Sequence, residues 1–244
     1  MKFETPLIPG RLIRRYKRFL ADVILDDGRR VTAHCPNTGS MLGCKAPGLR
    51  VWLSPADRPE RRLKWTWELV ETGTGALVGI HTGRSNALVA EAIAAGRIPA
   101  LAGYPHLRRE VAHPAGGRTD ILLEGEQGRC WVEVKNVTAA AANGLALFPD
   151  AVSRRAARHL AHLIQSVRAG ERAVLCFCVQ REDVAVVEPA VAIDPAYADA
   201  LAGASEAGVE LMAWGARVSP RRLELTRPLQ ARAAASVKTE TAMV

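Results

Sequence analysis

The sequence predicts an α/β protein in two parts, and three observations lead there. Residues 1–82 carry short alternating apolar segments separated by Pro and Gly, which predicts an all-β barrel. Residues 83–228 interleave helical stripes with strands, which predicts a mixed sheet flanked by helices. No run approaches the roughly 20 apolar residues that cross a bilayer, and the first residues show no apolar signal core with a small-residue cleavage site. A soluble cytoplasmic protein is the expectation. Residues 229–244 are Ala-rich and polar and predict a disordered tail.

In the first part, Phe19, Ala21, Val23 and Leu25 alternate, Asp26-Asp27-Gly28 turns the chain, and Val31 and Ala33 continue outward. Leu49 to Leu53, Lys64 to Val70 and Leu77 to Ile80 supply further strands. Five short strands at this spacing suit a small closed barrel, and the OB-fold is the commonest such unit. His34 to Met41 (HCPNTGSM) is loop chemistry, and by composition it turns a corner rather than cradling a phosphate.

In the second part, Leu88, Val89, Ala92 and Ile93 form a stripe at helical spacing, with Ser85 as a cap and Gly96 after the last turn. Residues 144–150 read as a loop. A helix from Ser153 to Ala169 places Ala156, Leu160, Leu163, Ile164 and Val167 on one face and Arg154, Arg155 and Arg158 on the other. His159 and His162 on that helix are three apart, so their spacing permits a ligand pair, but beside so many arginines they read as solvent or phosphate contacts. Ala173 to Val179 is a continuous apolar run, as expected of a central strand, and Asp194-Pro195 opens a last helix that runs to about Ala207. Val209 to Val218 and Leu223 to Leu225 complete the sheet.

The net charge of +8 suggests an anionic partner, and nucleic acid is the one that rewards clustered Arg and Lys. Arg11, Arg14, Arg15, Lys17 and Arg18 surround Tyr16, and Arg58, Arg61, Arg62 and Lys64 precede Trp65 and Trp67. The arginines suit a phosphate-binding surface, as do Arg154 and Arg155, whereas the two tryptophans suit the core. Five scattered cysteines form no Cys-x-x-Cys pair, which argues against a zinc site and against a secreted disulfide scaffold.

The chemistry concentrates in Arg118 to Thr138, RTDILLEGEQGRCWVEVKNVT. Ile121 to Leu123 and Trp131 to Lys135 read as two strands, and Gly125-Glu126-Gln127-Gly128 supplies the turn. A hairpin closing about Glu126-Gln127 sets Asp120 opposite Glu133, and alternation gives Glu133 and Lys135 one face and Val134 the other. Two carboxylates can hold Mg²⁺, which prefers oxygen ligands and keeps several waters. The carbonyl of Val134 can complete the shell, and Lys135 can offset charge on a scissile phosphate. Glu91 is a candidate fourth member if its helix packs over the hairpin. An ordinary cross-strand ion pair would place the same residue types at the same spacing.

Several stretches carry a family resemblance. PLIPGRLIRRYKRFLADV, AHCPNTGSMLG, LVAEAIAAGRIP, WVEVKNVT, GLALFPDAVSRRAARHL and IDPAYADAL together resemble the sugar fermentation stimulation protein A family. The resemblance implies an N-terminal OB-fold domain and a C-terminal domain of the PD-(D/E)XK nuclease fold. It also implies largely non-specific DNA binding and a role in regulating sugar (maltose) metabolism. Asp120 matches the motif aspartate, Glu133-Val134-Lys135 the (D/E)XK element and Glu91 the helix acid, with Mg²⁺ or Mn²⁺ as the implied cofactor. Thr119 stands where the fold's namesake has proline. Because the fold also hosts inactive binding proteins, a non-catalytic DNA-binding regulator stays beside a metal-dependent nuclease, and RNA stays open as a target.

Overall fold

In the computed structural model, which describes residues 1–56, 60–141 and 143–234, the chain forms two sheets. The first contains β1 (Ile8–Tyr16), β2 (Leu20–Leu25), β3 (Arg30–His34), β4 (Arg50–Pro55), β5 (Trp65–Glu71) and β6 (Leu77–Gly79). The order is β3-β2-β1-β4-β5-β6, and a parallel bridge from His34 to Thr66 joins β3 to β5. Strands β1 to β5 therefore close on themselves as an OB-type barrel, which removes its open edges. Leu12, Ala21, Val23, Leu25, Val51, Leu53, Trp67 and Val70 fill it.

Strand β1 was not expected, and β6, expected inside the barrel, is a short addition to β5. Two features hide β1 in the sequence. Its register slips between Leu12 and Arg14, which breaks the alternation. Its buried position 10 is a glycine because a β-carbon there would lie 2.5 Å from the Ile24 carbonyl oxygen. Trp67 is core as expected, while Trp65 is partly exposed, with Arg29 over its ring. Arg58, counted among the barrel cations, lies outside the described residues.

The second part contains α1 (Ser85–Ala94), β7 (His106–Ala112), β8 (Arg118–Gly125), β9 (Gly128–Val137), β10 (Leu145–Phe148) and α2 (Arg154–Arg168). It continues with β11 (Arg172–Val179), β12 (Val186–Pro189), α3 (Pro195–Glu206), β13 (Glu210–Ser219) and β14 (Arg222–Ala231). The sheet runs β10-β12-β14-β13-β11-β9-β8-β7, with β9, β11 and β13 parallel at its centre. The apolar run Ala173 to Val179 is buried throughout, as a strand covered on both faces must be. Strands β7, β10 and β12 were missed. β10 and β12 are too short to show a period, and β7 carries His, Arg and Glu on exposed positions.

Each face of this sheet has its own helices. Leu88, Val89, Ala92 and Ile93 of α1 pack with Ile121, Leu123, Val132 and Val134. Leu160 and Leu163 of α2 and Tyr197 and Leu201 of α3 pack on the other face with Leu122, Trp131, Leu175 and Phe177. Ser153 caps α2 and Asp194 caps α3, their side chains accepting from the amides of Ala156 and Tyr197. Ser85 does not cap α1. It is the helix's first residue, and its hydroxyl donates instead to Asn136 Oδ1 at 2.8 Å.

Strand β14 continues past residue 228 to Ala231 because Gln230 and Ala231 pair with Val186 and Val187 of β12. The rest of the expected tail, residues 235–244, lies outside the described residues. Among the described residues, no helix is long and apolar enough to cross a membrane.

Candidate functional site

The hairpin of β8 and β9 forms as its turn residues dictate. Gly125 pairs with Gly128, leaving Glu126-Gln127 as the turn, and the register runs back to Ile121 opposite Val132. The backbone pairing stops there, and beyond it the Asp120 side chain, rather than the β8 backbone, takes the Val134 amide. Alternation places Glu133 with Trp131 on the face that α2 covers, whereas the Asp120 carboxylate reaches α1 at Asn86.

Asp120 is held at both oxygens. Its Oδ2 accepts from the Val134 amide at 2.7 Å and its Oδ1 from Asn86 Nδ2 at 2.7 Å. Burial, and then the neighbouring Glu133 charge, push its carboxyl up to about 6. Glu133 is only 4% exposed. Its Oε1 accepts from Lys135 Nζ at 2.6 Å and is also bonded to His159 Nδ1. Burial alone would raise this carboxyl too, but the bonds from His159 and Lys135 outweigh it and hold Glu133 below the ordinary range. One carboxyl thus keeps its proton up to about pH 6 while its partner's is pulled the other way, an asymmetry found where acid and base roles are divided.

Glu91 is not part of this group, which corrects the expectation. It sits on α1, whose apolar stripe packs on the opposite face of the sheet. Its carboxylate pairs with the Met1 amine at 2.7 Å and with Arg97 at 3.6 Å. The contribution of α1 to the site is Asn86, one turn earlier, which the sequence reading missed because nothing local marks it.

His159 was misread as a solvent or phosphate contact. It reaches Glu133, and Arg155 Nε donates to its Nε2 at 3.2 Å. A signal was present: Ala156, His159, Leu160 and Leu163 fall at i, i+3, i+4 and i+7, so His159 belongs to the buried stripe of α2.

The expected cation surface divides into engaged and free members. Arg11 donates to the Gly48 carbonyl at 3.0 Å, and Arg14 pairs with Asp22 at 2.8 Å with its guanidinium over Tyr16. Arg15 is a correction: it donates to the carbonyls of Asn37 and Gly39 at 2.8 and 3.0 Å, and so holds the 34–41 loop rather than facing solvent. That loop does turn a corner, and it also docks on the second part, with the Met41 amide donating to Asp150 Oδ2 at 2.9 Å. Arg61 contacts Thr66 Oγ1 at 3.3 Å. Lys17, Arg18, Arg62 and Arg154 are exposed, and their side chains have no hydrogen-bond or ion-pair partner among the described residues.

Comparison with known proteins agrees with this architecture. Residues 13–80 match the family described as the SfsA N-terminal OB domain, and residues 83–222 match the sugar fermentation stimulation protein RE domain. A sugar fermentation stimulation protein homolog from Alkalilimnicola ehrlichii is 58% identical over 236 residues, covering 94% of this chain and 98% of that protein. The homolog from Thioalkalivibrio sulfidiphilus is 58% identical over 230 residues, covering 94% of this chain and 97% of that protein. Among solved structures, Pyrococcus furiosus SfsA in complex with Ca²⁺ superposes with a TM-score of 0.84 at 28% identity, covering 95% of this chain and 98% of that one. By sequence and by architecture, the chain belongs to the sugar fermentation stimulation protein family.

Proposed function

We propose that this is a cytoplasmic DNA-binding protein that hydrolyses phosphodiester bonds with Mg²⁺ or Mn²⁺ held at Asp120 and Glu133. The observation that carries the reading is the meeting of the buried Glu133 and the partly buried Asp120 with Lys135 at one end of the β8–β9 hairpin.

The donor set fits such an ion. Glu133 Oε2 accepts no hydrogen bond among the described residues, and each Asp120 oxygen accepts a single one and keeps a lone pair. In an extended strand the N–H and C=O of one residue point to the same edge, so the Val134 carbonyl faces the side on which its amide meets Asp120. Two carboxylates with few other ligands suit a cation that retains waters, and among the described residues no larger cluster of His, Cys, Asp or Glu forms a closed cage. The Pyrococcus relative's Ca²⁺ is likewise a hard, oxygen-seeking ion. When bound, the metal would lower the pKa of a coordinated water and neutralise charge on the phosphate.

The chain's own groups do the rest. Lys135, held against Glu133, presents a fixed positive charge to the equatorial phosphate oxygens, and it needs no reorganisation as charge develops. The exposed Lys17, Arg18, Arg62 and Arg154 would follow phosphates without reading bases, consistent with binding of low sequence specificity.

A cleavage assay on purified protein with Mg²⁺ or Mn²⁺ tests this on single- and double-stranded DNA. Glu133→Ala and Lys135→Ala should each slow cleavage by about a hundredfold or more, while DNA affinity stays within about threefold. If the wild type cleaves neither DNA form, nor RNA, with either metal, the catalytic reading is overturned.

A further inference from the structure

We infer that His159 is a positioning residue for Glu133, holding one carboxylate oxygen so that the other is presented to a cation. The inference rests on the metal-site reading above and names a residue outside the Asp, Glu and Lys of the hairpin motif.

Helix α2 brings His159 down onto the sheet, its side chain 15% exposed, with Nδ1 on Glu133 Oε1 and Nε2 accepting from Arg155 Nε at 3.2 Å. A neutral imidazole has one N–H and one lone pair. Arg155 can only donate to Nε2 and the Glu133 carboxylate can only accept at Nδ1, so the lone pair of His159 is on Nε2 and its proton on Nδ1; Lys135 Nζ, 3.4 Å from Nδ1, donates to Glu133 Oε1 at 2.6 Å instead. His159 in this tautomer offers the site a donor and not a ligand lone pair.

Lys135 donates to the same Oε1 from the strand. Two donors therefore converge on Oε1 from different elements, one from β9 and one from α2, while Oε2 is left without a hydrogen bond among the described residues. A carboxylate pinned this way cannot rotate about its terminal torsion without losing both bonds. The free oxygen keeps its orientation relative to Asp120 on the opposing strand. Support of this kind around a metal-binding carboxylate typically governs affinity by 10- to 100-fold.

The ring itself is fixed by stacking. His162, one turn along α2, lies 6.2 Å from His159 at an interplanar angle of 12°, and His113 lies 5.4 Å beyond it at 11°. His113 is anchored by Ser166 Oγ at 2.8 Å. This row holds the imidazole plane, and Arg155 sets which nitrogen carries the proton.

The test compares His159→Asn with His159→Leu in the full chain. The asparagine amide nitrogen occupies the place of Nδ1 and can still donate to Glu133, whereas leucine fills similar space with no donor. Calorimetric titration with Mn²⁺ should give wild-type affinity within about threefold for H159N and a loss of about tenfold or more for H159L. Thermal melts in EDTA establish that both variants are folded. Mn²⁺ affinity of H159L equal to wild type overturns the inference. Equal weakness of H159N and H159L also overturns it, since the imidazole lone pair would then be the ligand. Nitrogen-15 spectra of the metal-free wild type give an independent reading: the Nδ1–H tautomer at His159 is expected, and the Nε2–H tautomer overturns the inference. Absence of Mn²⁺ binding by the wild type overturns the metal-site reading itself and the inference with it, and that result is distinct from a defect confined to the variants.

Discussion

Asp120 and Glu133 lie near one another on the two strands of a single hairpin, yet their neighbours push them in opposite directions. Glu133 receives a lysine and a histidine, while Asp120 has neutral donors and lies beside the Glu133 charge. The consequence for a metal is a proton competition. A cation binds the ionised carboxylate, and the raised folded pKa of Asp120, about 6, means the proton holds that position until the pH exceeds it. Mn²⁺ affinity should therefore be flat above pH about 6 and fall by about tenfold per unit as the pH drops below it, as for one displaced proton. Calorimetry between about pH 5 and 7.5 checks this, and an unchanged affinity across the range would contradict it. The nearness of Asp120, Glu133 and Lys135 was legible in the sequence because a two-residue turn fixes the register of the hairpin, although the backbone pairing ends at Ile121 and Val132 and does not set Asp120 opposite Glu133. Glu91 was not legible as an outsider, because the face of the sheet on which a helix packs is decided by tertiary contacts that its own residues do not encode.

At the scale of elements, the tip joining β1 to β2 combines exposure, charge and backbone strain. Lys17 and Arg18 have φ of 48° and 62°, a left-handed region that costs most side chains of order 1 kcal/mol each. Phe19 beside them is 50% exposed. Asn and Gly are the residues this backbone prefers, so two long cations here are held at a cost to folding. On the proposed function they contact phosphates, and Lys17→Asn with Arg18→Gly separates the two effects. The double variant should melt at or above the wild-type temperature. It should bind DNA more weakly, with the slope of log affinity against log salt reduced by about two. An unchanged slope would remove the tip from the DNA surface. The cations of this tip were visible in composition, but the strand that presents them was not, because the register slip after Leu12 and the close approach at Gly10 erase its period.

For the whole molecule, the relation of the barrel to the helix-flanked sheet depends on the loop from His34 to Met41. Arg15 ties this loop to the barrel, while Ser40 Oγ donates to the Asp150 carbonyl at 2.5 Å and the Met41 amide to Asp150 Oδ2 at 2.9 Å. Asp150 lies just before α2, the helix that delivers His159, so the barrel is fastened close to the element that completes the site. The fit is tight: a β-carbon on Gly39 would lie 2.5 Å from Asp150 Oδ1. The two positions should therefore couple in a double-mutant cycle. Gly39→Ala should cost about 1–3 kcal/mol by overpacking against the carboxylate. Asp150→Ala should cost about 1–3 kcal/mol by leaving the Met41 amide without its acceptor. With the carboxylate gone, the added methyl meets no obstacle, so the double variant should be no less stable than Asp150→Ala alone. Urea unfolding of the four proteins measures the coupling, expected at about 1–3 kcal/mol in favour of the double variant. Strict additivity would mean that the loop is not clamped at this point and that the barrel is fastened elsewhere, where the Gly79 amide donates to the Gln180 carbonyl at 2.8 Å.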